Sequence, residues 1–187
     1  MLKSIKNMKK RFLVSFALVF ALLSTGVSAN SLQAQQKELP EGFRNMSIQQ
    51  RIEWIEENIP ATVHQGIRIN NGERGALNTY YASGHSEARM GDVGDLLGEM
   101  DTALEWSVDS SNPKVIVSYD QVDFTIKNYM SSDPPDGNTY SYWVNQGNVK
   151  YVFDGDIVGP FMGYYMFHDY NLHYGGNFSF RKGGGAL

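Results

Sequence analysis

At 187 residues with no cysteine, the chain has the length of one domain and no means of forming a disulfide or a thiolate metal site. Its 16 basic and 20 acidic residues give −4 overall, and setting aside the five basic residues before Phe12 leaves 11 against 20, or −9. A surface of that sign repels nucleic acid and gains nothing from anionic lipid, so a neutral or zwitterionic partner, a glycan or a choline headgroup, suits it better.

Residues 1–11 carry Lys3, Lys6, Lys9, Lys10 and Arg11 and no acid, and Phe12 to Leu23 are apolar apart from Ser15. Small residues follow, ending in Val27-Ser28-Ala29. Charged, then apolar, then small is the order of a secretory signal peptide. As a helix the apolar run would span ~18 Å, well short of the roughly 30 Å that a permanent anchor must cross. Residues 1–29 are expected to be a signal peptide, the mature chain to begin at Asn30, and the protein to be secreted.

Residues 30–46 are polar and Gln-rich, without periodicity, and read as a flexible lead-in. Ser47 and Gln50 form a capping-box pattern, and Ile48, Ile52, Ile55 and Ile59 fall on one helical stripe. Glu53, Glu56 and Glu57 take the other side and Pro60 stops the run, so a helix is predicted over 47–59. From Thr62 the period becomes two: Val63, Ile67 and Ile69 alternate with polar residues up to the turn Asn70-Asn71-Gly72. Residues 77–81 read as a second strand, and the acidic, glycine-broken stretch 91–100 as a short helical turn around Leu96 and Leu97. Further strands are predicted at 103–108, 114–119 and 122–129. Asp133-Pro134-Pro135-Asp136-Gly137 marks 131–138 as a loop. Residues 139–145 and 149–153 flank Gln146-Gly147-Asn148 as a hairpin, and 161–170 and 177–180 complete the set. This pattern predicts a mainly β domain over 47–187, an antiparallel β-sandwich with an N-terminal amphipathic helix.

The residues give no positive sign of an enzyme, a cofactor or a metal. His168 and His173 lie five apart, on opposite faces of a strand, and neither His64 nor His85 has a second ligand nearby in sequence. Asp154-Gly155-Asp156 could hold calcium but is equally a common turn and lacks the carboxylate-rich loop of an EF-hand, and Asp120 and Asp123, three apart on a strand, face opposite ways. The dense feature is aromatic: Tyr164, Tyr165, Phe167, Tyr170, Tyr174, Phe178 and Phe180 crowd one stretch. Tyrosine suits boundaries where one end stays wet, and its ring can hold a quaternary ammonium by cation–π attraction.

Ala76-Leu77-Asn78-Thr79-Tyr80-Tyr81-Ala82-Ser83-Gly84-His85-Ser86-Glu87 resembles the A-L-N-T-Y-F-x-S-G-x-S-D stretch of actinoporins, the sea-anemone cytolysins. It follows an amphipathic helix and a first strand, as in that family. Asp169-Tyr170-Asn171-Leu172-His173-Tyr174, with Asn177 and Lys182-Gly183 behind it, is similar to the family's D-Y-N-x-Y stretch with one residue inserted before Tyr174. The two motifs stand further apart here than in the family, and Leu172 and Phe178 replace its exposed tryptophans. The resemblance implies a membrane-targeting, pore-forming cytolysin that binds phosphocholine headgroups, oligomerises on membranes and is hemolytic. It implies a headgroup site at Ser83 and Tyr174 with Tyr170 beside them. The inserting helix would then present Ile48, Ile52, Ile55 and Ile59 to lipid and line a cation-selective pore with Glu53, Glu56 and Glu57. Because 47–59 spans only ~20 Å, insertion would also recruit residues 38–46 into the helix. A lectin-like, glycan-binding sandwich with the helix packed on its sheet uses the same isoleucine stripe equally well.

Overall fold

The computed structural model describes residues 35–36, 39–69, 77–91, 94–111, 114–145 and 147–187. The expected signal peptide, residues 30–34 and 37–38 of the lead-in and the Asn70-Asn71-Gly72 turn lie outside the described residues. The described part of the lead-in is not a loose tail, because Phe43 is buried with Tyr165 and Phe167, and Leu39 and Met46 pack beside it. The described residues all belong to one unit, 33–187.

After the two-residue strand β1 (Gln35–Gln36) and a 3-10 turn at Phe43–Asn45, helix α1 runs over Ile48–Asn58. Its start is set by the capping box. The Ser47 hydroxyl accepts the Gln50 N–H at 3.3 Å, and the Gln50 side chain accepts the Ser47 N–H at 2.9 Å. Ile59 caps the other end, and Pro60 cannot continue the run.

Nine strands follow: β2 (Thr62–Gln65), β3 (Ile67–Ile69), β4 (Leu77–Arg89), β5 (Leu96–Asp109) and β6 (Val115–Asn128), then β7 (Asp136–Asn145), β8 (Asn148–Val158), β9 (Gly163–His173) and β10 (Asn177–Ala186). One sheet has the order β1-β10-β9-β8-β7, with β2 also on β10. The other has the order β3-β4-β5-β6. All pairings are antiparallel except β1 on β10. The molecule is the β-sandwich that the sequence predicts.

The chain changes sheets at two places with different consequences. At Gly66, β2 passes into β3 with the Gly66 N–H bonded to the Gly176 carbonyl at 2.9 Å. A Cβ there would come within 2.6 Å of that carbonyl oxygen and of the Trp106 ring, so the corner requires glycine. Between β6 and β7 no strand pairing is made: β6 pairs only with β5 and β7 only with β8. Phe124 and Ile126 of β6 close this edge against Gly137 of β7, and it is open further along, beside Trp143.

Leu104, Trp106, Phe153, Tyr170 and Leu172 fill one half of the space between the sheets, and Leu97, Met100, Ile157 and Met166 the other. Helix α1 covers the outer face of the first sheet, where Ile55 and Ile59 pack with Phe43, Tyr165 and Phe167. Strands β8 and β9 are therefore buried on both faces. That explains why their sequences show no clean alternation of apolar and polar residues.

Three predicted elements change. The stretch around Leu96 and Leu97 is not helical: it opens β5, where Leu97 and Met100 pack into the core. The two strands predicted at 114–119 and 122–129 are one strand, β6, whose register slips past Val117 and Val122 as it follows β5. The loop predicted over 131–138 gives way to β7 at Asp136, directly after the two prolines.

Candidate functional site

The three residues predicted to meet a lipid headgroup do not converge. Ser83 is exposed on β4, between Ala82 and Gly84, which face the core, so its side chain points out of the sandwich. Tyr170 is 0% exposed between the sheets, so it cannot touch a headgroup. Tyr174, 47% exposed, lies at the β9–β10 turn with its ring over Gly147.

Tyr170 instead closes a buried polar chain. Its hydroxyl and that of Thr102 are 2.8 Å apart, Thr102 reaches His168 Nδ1 at 2.7 Å, and His168 Nε2 reaches the Ser86 hydroxyl at 2.9 Å. Burial pushes the Tyr170 hydroxyl up and the His168 ring well down, with Lys182 and His85 adding to the latter effect, so the imidazole stays neutral. Gly84 makes room for this chain, because a Cβ there would come within 2.4 Å of the Tyr170 oxygen. Ser86 and Gly84 of the first motif and Tyr170 of the second thus meet inside the core, where they pack the sheets together.

The helix residues are likewise committed. Ile52, Ile55 and Ile59 are buried against the first sheet, and of the stripe only Ile48 is exposed. Arg51 Nη1 reaches Asp154 Oδ2 at 2.9 Å, and the Tyr165 hydroxyl donates to the same oxygen at 3.0 Å. Glu56 is paired with Lys150, whose ammonium is buried and also bonds Asp169 at 2.9 Å. Arg181 joins by Nη1 to Asp169 at 3.2 Å and by Nε to the Ile59 carbonyl at 3.0 Å. Burial raises both the Asp154 and Asp169 carboxyls, opposed mainly by Arg51 on one and Lys150 on the other. Glu53 and Glu57 face solvent on the outer side of the helix. Sequence reading misses this ion-paired layer. Its available signal is the charge set into apolar strands, Lys150 between Val149 and Tyr151 and Asp169 between His168 and Tyr170.

No helix among the described residues is long and apolar enough to cross a membrane, and no group of three or more potential metal ligands occurs among them. Asp154-Gly155-Asp156 is not a turn but lies inside β8, paired on both sides, and Asp154 is spent on Arg51 and Tyr165.

Two exposed apolar features remain, one at each end of the sandwich. At the first end lie the β4–β5, β6–β7 and β8–β9 connections. There Phe161 is 98% exposed in the Gly159-Pro160-Phe161-Met162 turn, with Met90, Tyr129, Val158 and Leu187 exposed around it. This surface is tied together. Asn128 Nδ2 and the Ser131 hydroxyl both donate to the Val158 carbonyl at 2.9 Å, the Tyr129 N–H to Leu97 and the Leu187 N–H to Gly163, also at 2.9 Å. Met130 and Met162 back it from the core side. The nearby cations are paired, Arg89 with Glu87 and Lys127 with Glu99. At the other end the open β6–β7 edge holds a cleft of about 370 Å³ lined by Val115, Ile116, Trp143 and Asn145.

Comparison with family models, with curated proteins and with solved structures gives no match.

Proposed function

We propose that this chain is a secreted, membrane-targeting β-sandwich that docks end-on on zwitterionic bilayers through the Phe161 end. The observation that carries this reading is the clustering of Phe161, Val158, Tyr129, Met90 and Leu187 at one end, ordered by hydrogen bonds between loops. A large apolar side chain held fully in water is costly unless something covers it. A phenylalanine fixed by a tight turn after proline loses little conformational freedom on entering an interface. The paired cations and the −9 balance of residues beyond the leader favour phosphatidylcholine over anionic lipid. The actinoporin resemblance supports the same partner. The docking surface in this reading is the loop end, in place of Ser83, Tyr170 and Tyr174.

Helix α1 stays on the sheet in this mode. Its 11 residues span ~16 Å, and its isoleucines and two ion pairs hold it to β8, β9 and β10. Flotation of the protein lacking residues 1–29 with phosphatidylcholine vesicles tests the reading. The wild type should float with the vesicles and leave an entrapped dye inside, and Phe161→Asp should stay in solution. Equal flotation of variant and wild type would remove the Phe161 end as the docking surface. Dye release by the wild type would restore helix insertion and the pore.

A further inference from the structure

The open β6–β7 edge has a construction that membrane docking at the other end does not use. On β8, Val149 and Tyr151 face the space between the sheets, and their β7 partners in register are Trp143 and Ser141. Trp143 and Ser141 therefore point to the same side, yet both are exposed. Trp143 is 47% exposed although it sits on the inner face of a strand. Tyr119 of β6 meets it edge-on, with ring centres 5.1 Å apart and planes at 73°. Val115 and Ile116 supply an aliphatic wall.

Two side-chain N–H donors stand at this place, on Trp143 and Asn145. The Asn145 carbonyl oxygen is already taken by the Gly147 N–H at 2.8 Å, so its amide Nδ2 is the part left to a ligand. Neither that Nδ2 nor the Trp143 indole N–H has a partner among the described residues. None of the four lining residues is charged. The volume lies at the low end of the roughly 300–1,000 Å³ of small-ligand sites.

A pyranose ring answers each of these features. Its C–H face stacks on an indole, and its hydroxyl and ring oxygens accept from exposed N–H donors. A neutral sugar needs no cation in the cleft and suffers no repulsion from an acidic protein. We propose that the β6–β7 cleft binds a neutral glycan, with Trp143 as the stacking platform and the Asn145 amide as hydrogen-bond donor. Because the cleft and the Phe161 end lie at opposite ends of the strands, the glycan site stays open when the other end is on a bilayer. It does not depend on that docking.

Tryptophan fluorescence reads the cleft directly. Of the three tryptophans, Trp106 is buried and Trp54 is half-buried on helix α1, so Trp143 is the exposed one. The protein lacking residues 1–29 is titrated with neutral tetrasaccharides of glucose, N-acetylglucosamine, mannose and galactose, and separately with choline chloride. At least one sugar should shift the emission saturably and shield it from acrylamide. Trp143→Ala should abolish the signal, and by calorimetry it should weaken binding at least tenfold. Asn145→Ala should weaken it severalfold, with both variants melting within a few degrees of the wild type. No response to any of the four sugars would overturn the proposal. A response to choline alone would reassign the cleft to an organic cation. A dimer that Trp143→Lys splits into monomers would show that a second copy fills the cleft instead.

Discussion

Among single residues, His168 and Gly84 show what the motif positions do in the folded chain. His168 is neutral inside the core because desolvation holds its ring well below the ordinary histidine range. In the unfolded chain it takes up a proton below about pH 6.5. Between that pH and the lower folded value the unfolded state binds more protons, so stability falls on acidification, by at most about 1.4 kcal/mol per pH unit. Asp154 and Asp169, raised by burial, act in the opposite sense: below about pH 4 they no longer oppose folding. The midpoint of thermal unfolding should therefore drop between pH 7 and 5.5. His168→Gln should flatten that slope while lowering stability at every pH. Gly84→Ala drives a methyl into the Tyr170 hydroxyl and should cost about 1–3 kcal/mol in denaturant unfolding, the range for overpacked cores. If Gly84→Ala changed vesicle binding and left stability intact, the glycine would belong to a headgroup site after all.

Helix α1 is held by two kinds of contact. Ile55 is 1% exposed and shares a cluster with Phe43, Tyr165 and Phe167. Ile55→Ala should cost about 2–4 kcal/mol, a transfer loss plus a cavity. Arg51→Ala leaves the Asp154 carboxylate with Tyr165 but without its cation. It should destabilise at neutral pH and recover as the carboxyl is protonated, which urea melts at pH 7 and pH 4 would show. Equal cost at both pH values would mean that Arg51 acts through its packing on the Tyr165 ring, 5.9 Å from the guanidinium carbon. Ile52→Glu should unseat the helix and lower stability, because Ile52 is buried in the docked state.

At the scale of the whole molecule, the sandwich has two dissimilar ends, and end-on docking predicts that only one of them touches lipid. Phe161→Trp, placed in a Trp143→Phe background, should shift its emission to the blue on mixing with phosphatidylcholine vesicles. In the wild type, Trp143 should remain open to acrylamide when the protein is bound. Protection of Trp143 by vesicles would mean that the molecule lies on its open edge and would refute the end-on orientation.

The helix, its cap and the β-sandwich class were legible in the sequence because they rest on local periodicity: isoleucines at helical spacing, a Ser–Gln box, and short apolar runs between turn residues. Strand ends were less legible. Glycines such as Gly84 and Gly98 look like breaks in a linear reading, yet they sit inside strands where a ring or a neighbouring carbonyl approaches. What the sequence could not decide was direction. Ser83, Tyr170 and Tyr174 carry equally suggestive side chains, but only sheet pairing sends Tyr170 to the core, Ser83 outward on another sheet and Tyr174 to a turn. The isoleucine stripe names a buried face without naming what buries it, and contact with β8, β9 and β10 supplied the answer. The open β6–β7 edge and the cluster around Phe161 are assembled from residues far apart in the chain, so no spacing rule could announce them.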